Sequence, residues 1–130
     1  MTKHEFRQYR DLYDELGQMG EDIASLRGKV EAPKVANVTH SPKGKSVTTA
    51  DLVAELIDLE KSYGDKCRQV LRLHKRIVSV IGNLDGRERV IMRARYIRGH
   101  SWEKIAADMH YDKSWVHRLH GRILEKVRND

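Results

Sequence analysis

Two long stretches of this chain place apolar residues at alternating intervals of three and four, and this repeat constrains the fold more than any other feature. The first runs through Tyr9, Leu12, Leu16, Met19, Ile23, Leu26 and Val30. The second runs through Leu52, Leu56, Leu59, Tyr63, Lys66, Val70, Leu73, Ile77, Val80 and Leu84. Such spacing keeps every member on one seam of an α-helix, as a helical hairpin or a coiled coil requires. Gly17, Gly20 and Gly28 each weaken the first helix by about 1 kcal/mol relative to alanine, so it needs a partner. Lys66 is the single polar seam member and lies close to Gly64. It marks either a break in the second helix or a position that sets register at some cost in stability. An antiparallel hairpin and a self-associating coiled coil fit the pattern equally well.

Residues 31–48 (EAPKVANVTHSPKGKSVT) contain both prolines and lose the repeat, which reads as a mobile linker. Its PKGK run is either a solvated loop or a phosphate contact. A hydroxyl of Thr48 or Thr49 is placed to cap the second helix, with Asp51 favoured by the positive helix end. The expected division is a heptad helix over 1–30, a linker over 31–48, a second heptad helix over 49–84 and a separate domain over 85–130. Cys67 is the only cysteine, so no internal disulfide forms. Its position near the seam reads as a small buried hydrophobe. The charged N-terminal stretch and the lack of an apolar run near ~18 residues lead to the expectation of a soluble, cytoplasmic protein with no membrane partner.

From Asp85 the pattern shortens to three helices. The first, Arg87 to Arg98, places Val90, Ile91, Ala94 and Ile97 on one face, and Gly99 ends it. Ser101 caps a second helix that buries Trp102, Ile105, Ala106 and Met109, with Glu103 in its first turn. After a link at His110 and Tyr111, Asp112 caps a third helix. Val116, Leu119, Ile123 and Val127 form the inner face of that helix, with Trp115 and Leu124 flanking. Lys113, Ser114, His117, Arg118, Gly121 and Arg122 lie on the opposite face. A short helix, a tight link and a longer helix with a basic outer face make a helix-turn-helix. The charge distribution agrees. Residues 85–130 carry eleven Lys and Arg against seven Asp and Glu, whereas 1–48 and 49–84 each carry an excess of one. A basic excess at one end suits an anionic polymer, and double-stranded DNA is the partner that a helix in the major groove implies. The nearly balanced first 48 residues are expected to serve assembly, as a homo-oligomer, rather than base reading.

SWEKIAADMHYDKSWVHRLHGRILEKV resembles region four of bacterial sigma factors, and the preceding RERVIMRARYIRGHSW is similar to the first helix of that region. The whole layout, a heptad half and a linker followed by RARYIRGHSWEKIA, is similar to phage-encoded regulators of the ArpU and RinA type. The resemblance implies a sequence-specific transcriptional regulator of phage or prophage genes, acting in a bacterial host cell. It also implies base and phosphate contacts at Lys113, Ser114, His117 and Arg118, and a contact with RNA polymerase. Sigma factors usually carry Glu where Ser114 stands and Arg or Lys where His117 stands, so a different DNA sequence should be read. The sigma region that melts promoters has no counterpart here, which favours a regulator over a complete sigma factor.

Trp102 and Trp115 align with apolar faces and read as core rather than base-stacking platforms. His117 and His120 are three apart, but a tetrahedral metal site needs more ligands; His120 reads as a hydrogen-bonded structural histidine at the core edge. Arg87, Arg89, Arg93 and Arg95 divide between Glu88, phosphate and solvent. No glycine-rich phosphate loop, HExxH motif or nucleophile setting is present, so neither an enzyme nor a cofactor is expected. Two rival functions remain: the small subunit of a phage DNA-packaging terminase, and a helical protein-interaction module that binds no DNA.

Overall fold

The computed structural model describes residues 1–32 and 47–130, so the PKGK run and most of the 31–48 linker lie outside the described residues. The fold is all-α, with no strand among the described residues. Helices α1 (Lys3–Glu31) and α2 (Thr49–Gly82) carry the two seams, followed by α3 (Gly86–Met92), a π-helical turn (Arg93–Ile97), α4 (Trp102–Met109) and α5 (Lys113–Val127). Among the described residues, no helix is long and apolar enough to cross a membrane. Thr48 begins α2 as the hydroxyl pattern implies: its Oγ1 accepts from the Asp51 amide at 3.1 Å, and Asp51 Oδ2 accepts from the Thr48 amide at 3.1 Å. α2 runs unbroken through Gly64 and Lys66, so the break that those residues suggested does not occur.

The described chain forms two compact units, Met1–Asp14 with Gln69–Asp130 and, separately, Glu15–Arg68. In the Glu15–Arg68 unit the two helices run antiparallel. Glu15 pairs with Lys66 at 3.3 Å and Arg27 with Glu60 at 2.5 Å, so numbers rise along one helix as they fall along the other. The seam residues Ile23 and Leu26 are buried between these pairs. Lys66 thus meets a charge on the facing helix instead of interrupting α2. Gly20 faces the Tyr63 ring, which a Cβ at Gly20 would approach to 3.8 Å.

In the other unit the opening turns of α1 lie against the end of α2 and the C-terminal helices. Met1, Phe6, Tyr9, Ile77, Val80, Ile81, Ile91, Met92, Ile105, Val116, Ile123 and Val127 form its core. Glu5 pairs with Arg76 at 2.6 Å, and Tyr9 shares a 2.7 Å hydrogen bond with His74, so α1 and α2 are antiparallel here too. Within both units the chain therefore adopts the hairpin alternative.

The stretch expected as one helix, Arg87 to Arg98, differs in two ways. It begins at Gly86, where Asp85 and Glu88 form a reciprocal capping box, and its second half widens into the π turn, with Arg98 N–H donating to Arg93 O at 2.9 Å. Its inner face also differs. Val90, expected inside, is 49% exposed, and Met92 and Tyr96 are buried beside Ile91 and Ala94. Tyr96 can be buried because its ring meets Phe6, with centroids 5.0 Å apart, and its hydroxyl meets His120. Gly99 ends the turn at φ +73°, as the sequence implied. Arg10 then covers this end: its Nη1 donates to Ile97 O at 3.0 Å, and a Cβ on Gly99 would lie 3.1 Å from the guanidinium carbon. The left-handed backbone favours glycine here, and a Cβ would also press on the Arg10 guanidinium, which would have to shift slightly.

Candidate nucleic-acid interface

The helix-turn-helix is built from α4 and α5. Ser101 caps α4 by accepting from the Lys104 amide at 3.1 Å. Ile105 and Ala106 are buried, while Trp102 and Met109 are half-buried. At the other end His110 takes the left-handed conformation, φ 59°, and the Tyr111 amide donates back to Ala106 O at 3.0 Å. That bond reverses the chain within two residues and satisfies an end-of-helix carbonyl. Asp112 takes the extended conformation of a cap before α5, but its carboxylate makes no capping hydrogen bond, contrary to the role expected of it. The α5 side chains sort as the sequence implied. Val116, Ile123 and Val127 are buried, Leu119, Trp115 and Leu124 are half-buried, and Lys113, Ser114, His117, Arg118, Gly121 and Arg122 are all exposed.

These six positions recur at intervals of three and four, so they share one side of α5 but differ in surroundings. Arg118 and Arg122 enter no hydrogen bond or ion pair among the described residues, leaving two guanidinium groups open to an anionic partner. Lys113 is engaged: its Nζ donates to Glu103 on α4, and this ammonium holds the Glu103 carboxyl below its usual pKa. This pair has no local sequence signature, because Glu103 and Lys113 are ten apart and meet only once the turn folds. His117 lies against the Trp102 ring, with centroids 4.9 Å apart. At Gly121 a Cβ would meet nothing within 4 Å, so internal packing does not demand glycine there.

Beneath this face, His120 is buried and its Nε2 lies 2.7 Å from the Tyr96 hydroxyl in a shared hydrogen bond. Trp102 covers it, with centroids 4.5 Å apart, and the Arg95 guanidinium lies 4.6 Å above the Trp102 ring. Burial, reinforced by the nearby cations Lys3, Arg95, His117 and Arg7, lowers the His120 pKa to about 4. The structural role read for His120 is thus what the structure shows, and Trp102 belongs to the packing around it. Among the described residues no group of three or more His, Cys, Asp or Glu side chains is arranged to hold a metal ion. Elsewhere on this domain Arg87 lies over the Tyr111 and Trp115 rings, 5.4 and 5.7 Å from their centroids. Arg89 donates to Leu84 O at 3.0 Å and Arg95 to His100 O at 3.1 Å. The Glu88 carboxylate, mostly buried, accepts from Lys126 at 2.9 Å and ties α3 to α5.

A pH dependence follows from His120. The unfolded chain binds a proton near pH 6.5, whereas the folded chain excludes it until about pH 4. The contribution of His120 to stability is therefore fully present above pH 6.5 and falls as the pH drops toward 4. His120→Gln keeps a hydrogen-bonding partner for Tyr96 and removes the titration. Thermal melting from pH 7 to 4 should fall less steeply in this variant than in the parent, and parallel profiles would refute the assignment.

Residues 80–129 match the family model described as Sigma-70, region 4. The matched segment spans the end of α2 through α5, so the chain carries a helix-turn-helix domain of that kind at its C-terminal end. No curated protein and no solved structure matched the chain.

Proposed function

We propose that this chain is a sequence-specific double-stranded DNA-binding transcriptional regulator that reads the major groove with α5. The observation that carries this reading is the open, cationic side of α5, with Arg118 and Arg122 unpaired, on the second helix of a region 4-like helix-turn-helix. Exposed side chains of such a helix reach base edges, and Arg is suited to the paired acceptors of guanine. Ser114, His117 and Arg118 are assigned to base edges, Lys113 and Arg122 to phosphate, and Gly121 to close approach of a strand.

The regulator is assigned to phage or prophage genes, on the likeness of its layout to the ArpU and RinA type, and to the cytoplasm of the bacterial host. Region 4 supports a second contact, with RNA polymerase. Self-association would supply two readers per operator and raise affinity through effective concentration. Leu71 and Val78, exposed and seven residues apart on α2, offer one surface for it. No catalysis and no cofactor are assigned.

Selection of bound duplexes from a random library tests the proposal. A single enriched motif supports a regulator. Binding without any motif favours a DNA-packaging role like that of a small terminase subunit, and no binding leaves a protein-interaction module.

A further inference from the structure

Beside the helix-turn-helix, the opening turns of α1 and the π turn enclose a cleft of about 310 Å³. Arg7 and Arg10 line it from α1, and Arg95, Tyr96 and Arg98 from the π turn and its end. Asp14 also lines it, but it is committed to Arg10 at 2.5 Å. Arg10 in turn is spent on the carbonyls of Tyr96 and Ile97. The Arg7 and Arg98 guanidinium groups are exposed and meet no acceptor among the described residues. A second cleft of about 180 Å³ shares Arg7, Arg95 and Tyr96 with the first, adds Lys3, and ends at Trp102 and His117. His117 stands on the exposed side of α5. The two clefts thus form a cationic track that starts on α1 and ends at the proposed reading helix.

We infer that this track seats the phosphate backbone of the same duplex that α5 reads, with Arg7 and Arg98 each neutralising a phosphate that the helix-turn-helix alone cannot reach. The inference rests on the DNA-binding reading above and extends it to α1. Two open guanidiniums at one end of a DNA-facing surface match the fork geometry that phosphate oxygens accept. His120 lies under this track, where burial first and the charges of Lys3, Arg95 and Arg7 second lower its pKa. Asp11, one turn after Arg7 on α1, also lines the larger cleft, and Arg95 is engaged with His100 O and the Trp102 ring, so the phosphate contacts are placed at Arg7 and Arg98. Contacts of this kind position the duplex without reading bases, so α1 adds affinity while the preferred motif stays the same.

The test uses the full chain, a mixed-sequence duplex and the selected duplex, with affinity followed across salt. Each phosphate contact contributes about one unit to the slope of log affinity against log salt. Arg7→Ala and Arg98→Ala are expected to flatten the slope by about one unit each and the double variant by about two, with the motif and melting temperature retained. Arg7→Lys keeps the charge and should keep the slope. Arg72 is exposed and does not line the clefts, so Arg72→Ala is the control for net charge. Wild-type slopes in the Arg7 and Arg98 variants, or an equal change in Arg72→Ala, overturn the inference while leaving DNA binding intact. Failure of the wild-type chain to bind any duplex at low salt overturns the DNA-binding reading, and the inference with it.

Discussion

Ile77→Asp is expected to unfold the unit that contains the helix-turn-helix. Ile77 is fully buried on α2, in a core that also includes Phe6 and Tyr9 of α1 and Ile91, Val116 and Ile123 of the C-terminal helices. A carboxylate there has no cationic partner among the core residues and must either stay charged in an apolar site or take up a proton. Losing the isoleucine forfeits about 1.5–3 kcal/mol of burial, and the uncompensated polar group costs several kcal/mol more. Domains of this size hold about 5–15 kcal/mol in all, so the variant should lose its cooperative melt near neutral pH. Ile77→Val, which removes a single methylene, should cost only about 0.5–1.5 kcal/mol and retain the fold. Circular dichroism and light scattering decide the matter. A parent-like melt and mass in Ile77→Asp would show that the α2 seam does not support this unit.

The second large effect is expected at the open side of α5. Arg118→Ala should cost about 1–3 kcal/mol at the selected site, roughly a five- to 150-fold loss, and relax the preference at one base pair. Binding to a scrambled duplex should change little. Lys113→Ala should differ in kind, weakening all sequences alike and flattening the salt slope. The structure adds a condition to this second effect. Lys113 already donates to Glu103, so a phosphate must compete with a carboxylate, and removing the lysine leaves that carboxylate facing the DNA. Glu103→Gln should therefore tighten binding to every sequence at low salt. If Arg118→Ala weakens selected and scrambled duplexes equally, Arg118 is a phosphate contact and not a base reader.

Much of this molecule could be read from local pattern. The two seams, the caps at Thr48 and Ser101, the left-handed end at Gly99 and the inner face of α5 each depend on residues within about one or two turns. So does the outward set from Lys113 to Arg122. Helical periodicity and backbone hydrogen bonding act over that range, and the sequence carries their signal directly. The inward position of His120 was legible for the same reason, since its place on α5 puts it beside Val116 and Ile123.

What escaped the sequence depends on partners distant along the chain. In α3 and the π turn, one apolar set includes Val90 and Ile97 and another includes Met92 and Tyr96, and periodicity alone does not rank them. Phe6 and His120 decide the matter, by giving the Tyr96 ring a neighbour and its hydroxyl a hydrogen bond. The seam of α1 likewise gave no sign that its first turns belong with the helix-turn-helix. Phe6 lies one step before the seam residues singled out, and nothing in the sequence distinguishes Arg10 from the other charges of α1. Only folding brings Arg10 to the carbonyls that end the π turn, and Arg7 to the same cleft as Arg98. Local chemistry determined which helices form and which side of each is apolar. The tertiary structure decided which of those sides meet, because burial and hydrogen-bond satisfaction are properties of pairs of elements.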